Sequence, residues 1–138
     1  MKFNYVLLFI PSLCMANNQA DIINYSNVYE AKTGVVNELL VRYVRTFDSP
    51  CAHIQVLKPG GEGKILNDKK ICSLKGKNFL NDYAEVDIKG IEMDASGVIL
   101  KISFTPLTPT GEQIKKCFVT FIDNEPQDLE CLNSPNDQ

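Results

Sequence analysis

The chain has 138 residues, is 44% hydrophobic and 22% charged, and carries a net charge of −3. That length suits a single domain. The acid surplus argues against a general nucleic-acid binder, which carries a basic surface.

Residues 1–16, "MKFNYVLLFIPSLCMA", have the layout of a secretory signal peptide. Lys2 gives a positive start, Tyr5 to Ile10 are apolar, and Cys14 and Ala16 stand three and one before a cut. The apolar run falls short of the roughly 20 residues that a membrane-spanning helix needs, and no second hydrophobic stretch reaches that length. A buried N-terminal helix is the competing reading. Cleavage is expected after Ala16, with Ala20 the next choice. Lipidation of Cys14 fits poorly, because Leu13 is bulky where a small residue belongs. The expected product is one exported domain, 17–138, periplasmic or secreted, with a frayed end at 132–138. Losing Lys2 takes the basic count from 14 to 13 against 17 acids, a net charge of −4.

Asp21 to Phe47 is expected to be helical. Ile22, Tyr25, Tyr29, Val36, Leu40, Tyr43 and Phe47 share one stripe at about 100° per residue, widened by Leu39 and Val44. Asn37, Glu38, Arg42 and Arg45 lie opposite. Gly34 is either a weak point in one long helix or the C-cap between two. The three tyrosines read as packing groups ahead of a ligand cage.

Beyond Ser49-Pro50 the period becomes two. Val98, Leu100, Ile102 and Phe104 face one way. Val86 and Ile88 alternate with Glu85, Asp87 and Lys89, and the parity switches at Gly90 so that Ile91 and Met93 turn inward. A glycine at a parity switch reads as a bulge. Asp94-Ala95-Ser96-Gly97 reads as the hairpin turn between these runs. Cys117 to Ile122 is apolar on both faces, the pattern of a covered central strand. The expected fold class is α+β: a long N-terminal helix, or helix pair, packed on an antiparallel sheet of about six strands.

Removing Cys14 leaves four cysteines, and an even count behind a signal peptide reads as two disulfides in an oxidising compartment. Cys51 and Cys72 are equidistant from the Pro59–Gly63 loop, and Cys117 and Cys131 from Asp123–Pro126. Residues equidistant from an antiparallel turn face each other. Of three connectivities, this symmetry favours Cys51–Cys72 and Cys117–Cys131. A bridge at Cys51 leaves no thiolate for a Cys/His enzyme. His53 then reads as a packed or solvated strand residue, since the sequence offers it no orienting partner. Gly63-Lys64 fails the phosphate-loop pattern, because Ile65 follows it and Lys58 stands where the first glycine belongs. No EF-hand spacing occurs. Asp82, Glu85 and Asp87 read as a polar strand edge. Asn24-Tyr25-Ser26 fits a glycosylation acceptor only in a eukaryotic host.

Charge is segregated. Lys58 to Lys77 holds six lysines against two acids, and Asp123 to Asp137 holds five acids and no base. Such asymmetry steers association with charged partners, although two solvated loops are the simpler explanation. The candidate partner-binding residues are Lys58, Glu62, Lys64, Lys69, Lys70, Asp123, Glu125 and Asp128. The expected function is a small, non-catalytic, exported binder of another protein in its compartment, an inhibitor or immunity-type neutraliser of a hydrolase or toxin. It is expected to need no cofactor or metal. The alternatives are an assembly component of a cell-envelope complex, or a small-molecule binder or hydrolase. The last would use a helix–sheet pocket lined by Tyr25, Tyr29 and Tyr43, or a convergence of Asp82, Glu85 and Asp87.

Overall fold

A computed structural model describes residues 23–132. The expected signal peptide and the tail beyond Leu132 lie outside them.

The expected N-terminal helix is overturned. Among the described residues there is no α-helix, only the 3-10 turn Tyr25–Asn27. The segment instead forms a hairpin of β1 (Val28–Val36) and β2 (Leu39–Thr46). Val36 faces Leu39 across the two-residue turn Asn37-Glu38, and both turn residues take positive φ, 42° and 70°. That backbone matches the twist of a two-residue hairpin. The chain is rich in residues that suit strands: Val28, Val35, Val36, Val41, Val44, Thr33 and Thr46. The helical stripe put Leu40 and Tyr43 on one face; an odd spacing in a strand puts them on opposite faces. The last six residues of β2 include five that are buried, on both sides, and burial on both sides erases the alternation that marks a strand.

The next elements are β3 (Ala52–Leu57), β4 (Ile65–Ile71), β5 (Ser73–Leu74) and β6 (Lys77–Asn78). They are followed by β7 (Tyr83–Asp94), β8 (Gly97–Pro106), β9 (Gln113–Val119), β10 (Phe121–Ile122), β11 (Glu125–Pro126) and β12 (Glu130–Cys131). Two antiparallel four-stranded sheets carry the fold, ordered β1-β2-β3-β4 and β12-β9-β8-β7. Two short hairpins, β5-β6 and β10-β11, complete it. Where α+β was expected, the fold is therefore nearly all β.

The inner faces of the sheets share one core. Val41, Tyr43, Ala52, Ile54 and Ile71 come from the first; Val86, Ile88, Val98, Leu100, Ile102, Phe104, Cys117 and Val119 from the second. Phe79, Tyr83 and Phe104 cluster at one end, with ring centroids 5.1–6.4 Å apart. The β7–β8 pairing slips between Ile88 and Gly90, at the parity switch visible in the sequence. β9 is not the covered central strand expected. Its outer face stays open, Ile114 is 51% exposed, and the segment past Val119 leaves to form β10.

The seam between β1 and β7 is tight. A Cβ on Gly34 would sit 2.8 Å from Met93 Sδ, so the glycine reflects close approach of two strands. Lys32 Nζ donates to the Ile91 carbonyl at 2.9 Å, and Arg45 Nη1 meets Asp87 Oδ1 at 3.3 Å.

Candidate interaction site

On the opposite side β4 and β12 do not pair and a groove separates them, while β11 packs against β3 and β4. The cysteines pair as Cys51–Cys72 and Cys117–Cys131, the connectivity expected from turn symmetry. In β3–β4, facing residues number 123 in sum from Ala52↔Ile71 to Val56↔Asn67. Cys51 and Cys72 extend that series by one step. Cys117 faces Cys131 directly across β9–β12. One bridge thus fastens the base of the β3–β4 hairpin, and the other ties β12 to its sheet.

A groove of about 500 Å³ lies between the two stapled hairpins, within the roughly 300–1,000 Å³ usual for ligand clefts. One bank is Lys69 to Ser73 with the Lys75-Gly76 turn; the other is Asp128 to Cys131. Lys69 Nζ crosses it to Asp128 Oδ1 at 2.7 Å. The hydrogen bond from Lys69 holds the Asp128 carboxyl below its ordinary range. Asp128 is 89% exposed and Lys69 37%, so solvent screens the pair.

Of the candidate partner-binding residues, Lys69, Lys70 and Asp128 come together here. Lys58, Glu62 and Lys64 occupy the exposed 58–64 loop, closed by Lys58 N–H donating to the Lys64 carbonyl at 2.9 Å. Asp123 and Glu125 sit exposed in the β10–β11 hairpin. The two oppositely charged segments thus partly neutralise each other within the molecule.

The outer face of the first sheet carries a polar row that the sequence reading missed. Arg42 faces Gln55 across β2–β3, and Gln55 faces Asp68 across β3–β4. Arg42 Nε donates to Gln55 Oε1 at 2.8 Å, and Gln55 Nε2 to Asp68 Oδ2 at 3.2 Å. Tyr25 caps one end, its hydroxyl 3.1 Å from Arg42 Nη2. At the other end His53 Nδ1 lies 3.0 Å from Asp68 Oδ1. So His53 has an orienting carboxylate after all, and it is buried, with 6% exposed. The signal was present: 55 and 68 also sum to 123. The row joins three strands and the incoming turn, and buried polar groups satisfied in this way fix register.

The tyrosines do not form a pocket. Tyr43 is fully buried in the core, and burial raises its pKa. Tyr25 and Tyr29 are 52% and 42% exposed, and Tyr29 stacks on Phe47 at 4.6 Å. The expected helix–sheet pocket has no helix to form it. Asp82 accepts from Asn78 N–H, whereas Asp87 takes Lys89 and Arg45. Among the described residues no group of three or more His, Cys, Asp or Glu side chains is placed to hold a metal ion. No described helix is long and apolar enough to cross a membrane. Two disulfides fit an oxidising compartment.

No family model, curated protein or solved structure matches the chain.

Proposed function

We propose that the chain is a small exported protein, periplasmic or secreted, that binds another protein without catalysis, and that the open β4–β12 seam is its partner surface. The observation that carries this reading is the groove between two disulfide-fastened banks, rimmed by Lys69, Lys70 and Lys75 on one side and by Asp128 and Glu130 on the other. Rigid banks reduce the ordering cost of association. Charged rims steer encounter and set partner choice. Oxidised Cys51 and Cys72 are unavailable as nucleophiles, which supports binding over thiol chemistry. An inhibitor or immunity-type neutraliser of a hydrolase or toxin suits a compact, stapled domain of this size.

A second reading is favoured by the sheet edge itself. β4 pairs only with β3 among the described strands, and an unpaired edge is a docking element for assembly components of an envelope complex. The test is a pull-down at low salt from extract of the source organism, with the chain from Asn17 as bait. One stoichiometric partner supports the binder, and an activity assay follows if that partner is an enzyme or toxin. A set of envelope-complex subunits supports the assembly reading. Absence of any partner contradicts both.

A further inference from the structure

Resting on the protein-binding reading, we infer that the seam takes an extended acidic segment of the partner as an added strand on β4, and that Asp128 is the internal carboxylate this segment displaces from Lys69. β4 and β12 are edges of different sheets, and the groove separates them. An extended peptide pairs with such an edge through its main chain, at about 4.8 Å from the neighbouring strand.

Charge selects the occupant. Lys69 and Lys70 are successive β4 residues on opposite faces of the strand, because side chains alternate. Opposite charges facing each other across strands stabilise pairing and like charges oppose it. A partner strand with a carboxylate in register meets Lys69 on the groove face, whereas Lys70, on the other face, already has a partner of its own. Asp68 stays turned toward His53 and Gln55, so it does not compete for the incoming acids. Asp128 already makes the contact that such a carboxylate would make. Its exposure means that displacing it costs little.

The test uses the full mature chain and a fluorescent Thr/Val strand peptide carrying two adjacent glutamates, with the glutamine version as control. Binding by fluorescence polarisation at low salt is expected to favour the glutamate peptide about tenfold and to fall with added salt. Asp128→Asn is expected to tighten binding about 2- to 5-fold, and Lys69→Gln to weaken it by a similar factor. Both residues are at the surface, so both variants fold. Hydrogen exchange is expected to show new protection at 67–71. Equal binding of the two peptides, no binding at all, indifference to both substitutions, or protection elsewhere would each overturn the inference. A partner captured in the pull-down but not competed by the glutamate peptide would also overturn it, while leaving the protein-binding reading intact.

Discussion

Lys69 Nζ lies 2.7 Å from Asp128 Oδ1, and this contact joins the lysine-rich edge strand to the acidic C-terminal segment. Charge segregation in the sequence becomes an ion pair across the open seam, exposed on both sides. Because Lys69 holds the Asp128 carboxyl down, its contribution is present above the carboxylate's unfolded pKa. It is lost as pH falls through the folded one. Asp128→Asn is therefore expected to move the thermal midpoint at neutral pH by less than about 2 °C. A larger drop in differential scanning calorimetry would make the pair a structural clamp.

The tight seam depends on charge in a different way. Arg45 is buried, with 5% exposed, and Asp87 is the partner that reaches it from the other sheet. The hydrogen bond from Lys89 is the main cause that depresses the Asp87 pKa; burial opposes it, and Arg45 adds to the lowering. A depressed carboxylate stabilises the fold above its unfolded pKa, near 3.9, and that gain disappears as pH falls through the folded value. Asp87→Ala should cost about 1 kcal/mol at pH 7, below the usual range for a charged hydrogen bond because Asp87 is 39% exposed and solvent screens it. The difference from wild type should shrink below about pH 4. Urea melts across pH 2–7 measure both, and a pH-independent difference would contradict the assignment.

Each disulfide closes a short loop, with sequence separations of 21 and 14. Constraint of the unfolded chain predicts a loss of about 3 kcal/mol for each when both cysteines become alanine. Urea unfolding of the two double variants reads this directly. Thiol titration of the denatured, unreduced chain from Asn17 should find none, and four after reduction.

Gly97 has φ 150°, and a Cβ there would lie 2.3 Å from the Val119 carbonyl oxygen. That oxygen belongs to the backbone of the neighbouring strand, so the clash has no easy escape. Gly97→Ala should destabilise by about 2–4 kcal/mol. At Gly34 the obstructing atom is the tip of Met93, which can swing aside, so Gly34→Ala should cost about 1 kcal/mol or less. Equal losses for the two variants in urea melts would contradict this contrast.

Glu38 sits at φ 70° in the β1–β2 turn, a conformation costly for a side-chain-bearing residue. Glu38→Gly makes an Asn-Gly turn, the favoured pair for a two-residue hairpin. It should stabilise by about 0.5–1 kcal/mol. A loss of stability would show that the Glu38 side chain holds the turn.

The second sheet was legible because its strands are wet on one face. Val98 to Phe104 alternate inward and outward, and the phase shift at Gly90 is printed in the order of residues. Turn symmetry located both disulfides. The first sheet was half legible: its β3–β4 hairpin followed from the Pro59–Gly63 turn, but β1 and β2 did not, because β2 is buried on both faces, so Tyr43 and Val44 are equally apolar and no period of two survives. Spacings of three and four among Leu40, Tyr43 and Phe47 then imitated a helix, although Phe47 ends 77% exposed. The charged groove was half legible. Its residue types were visible, but Lys69 and Asp128 lie far apart in sequence and meet only through the sheet order. The partner of His53 is not legible in its own segment, because the Asp68 carboxylate belongs to the next strand.

The most direct test of the open seam as the partner surface is lysine-directed cross-linking of the captured complex, read by mass spectrometry. Lysines label both sides of the molecule: Lys69, Lys70 and Lys75 line the seam, while Lys101 and Lys116 lie exposed on the second sheet. The account predicts that links to the partner arise from Lys69, Lys70 and Lys75 and weaken in the presence of the glutamate peptide. Links confined to Lys101 and Lys116 would contradict it and move the partner to the outer face of the second sheet.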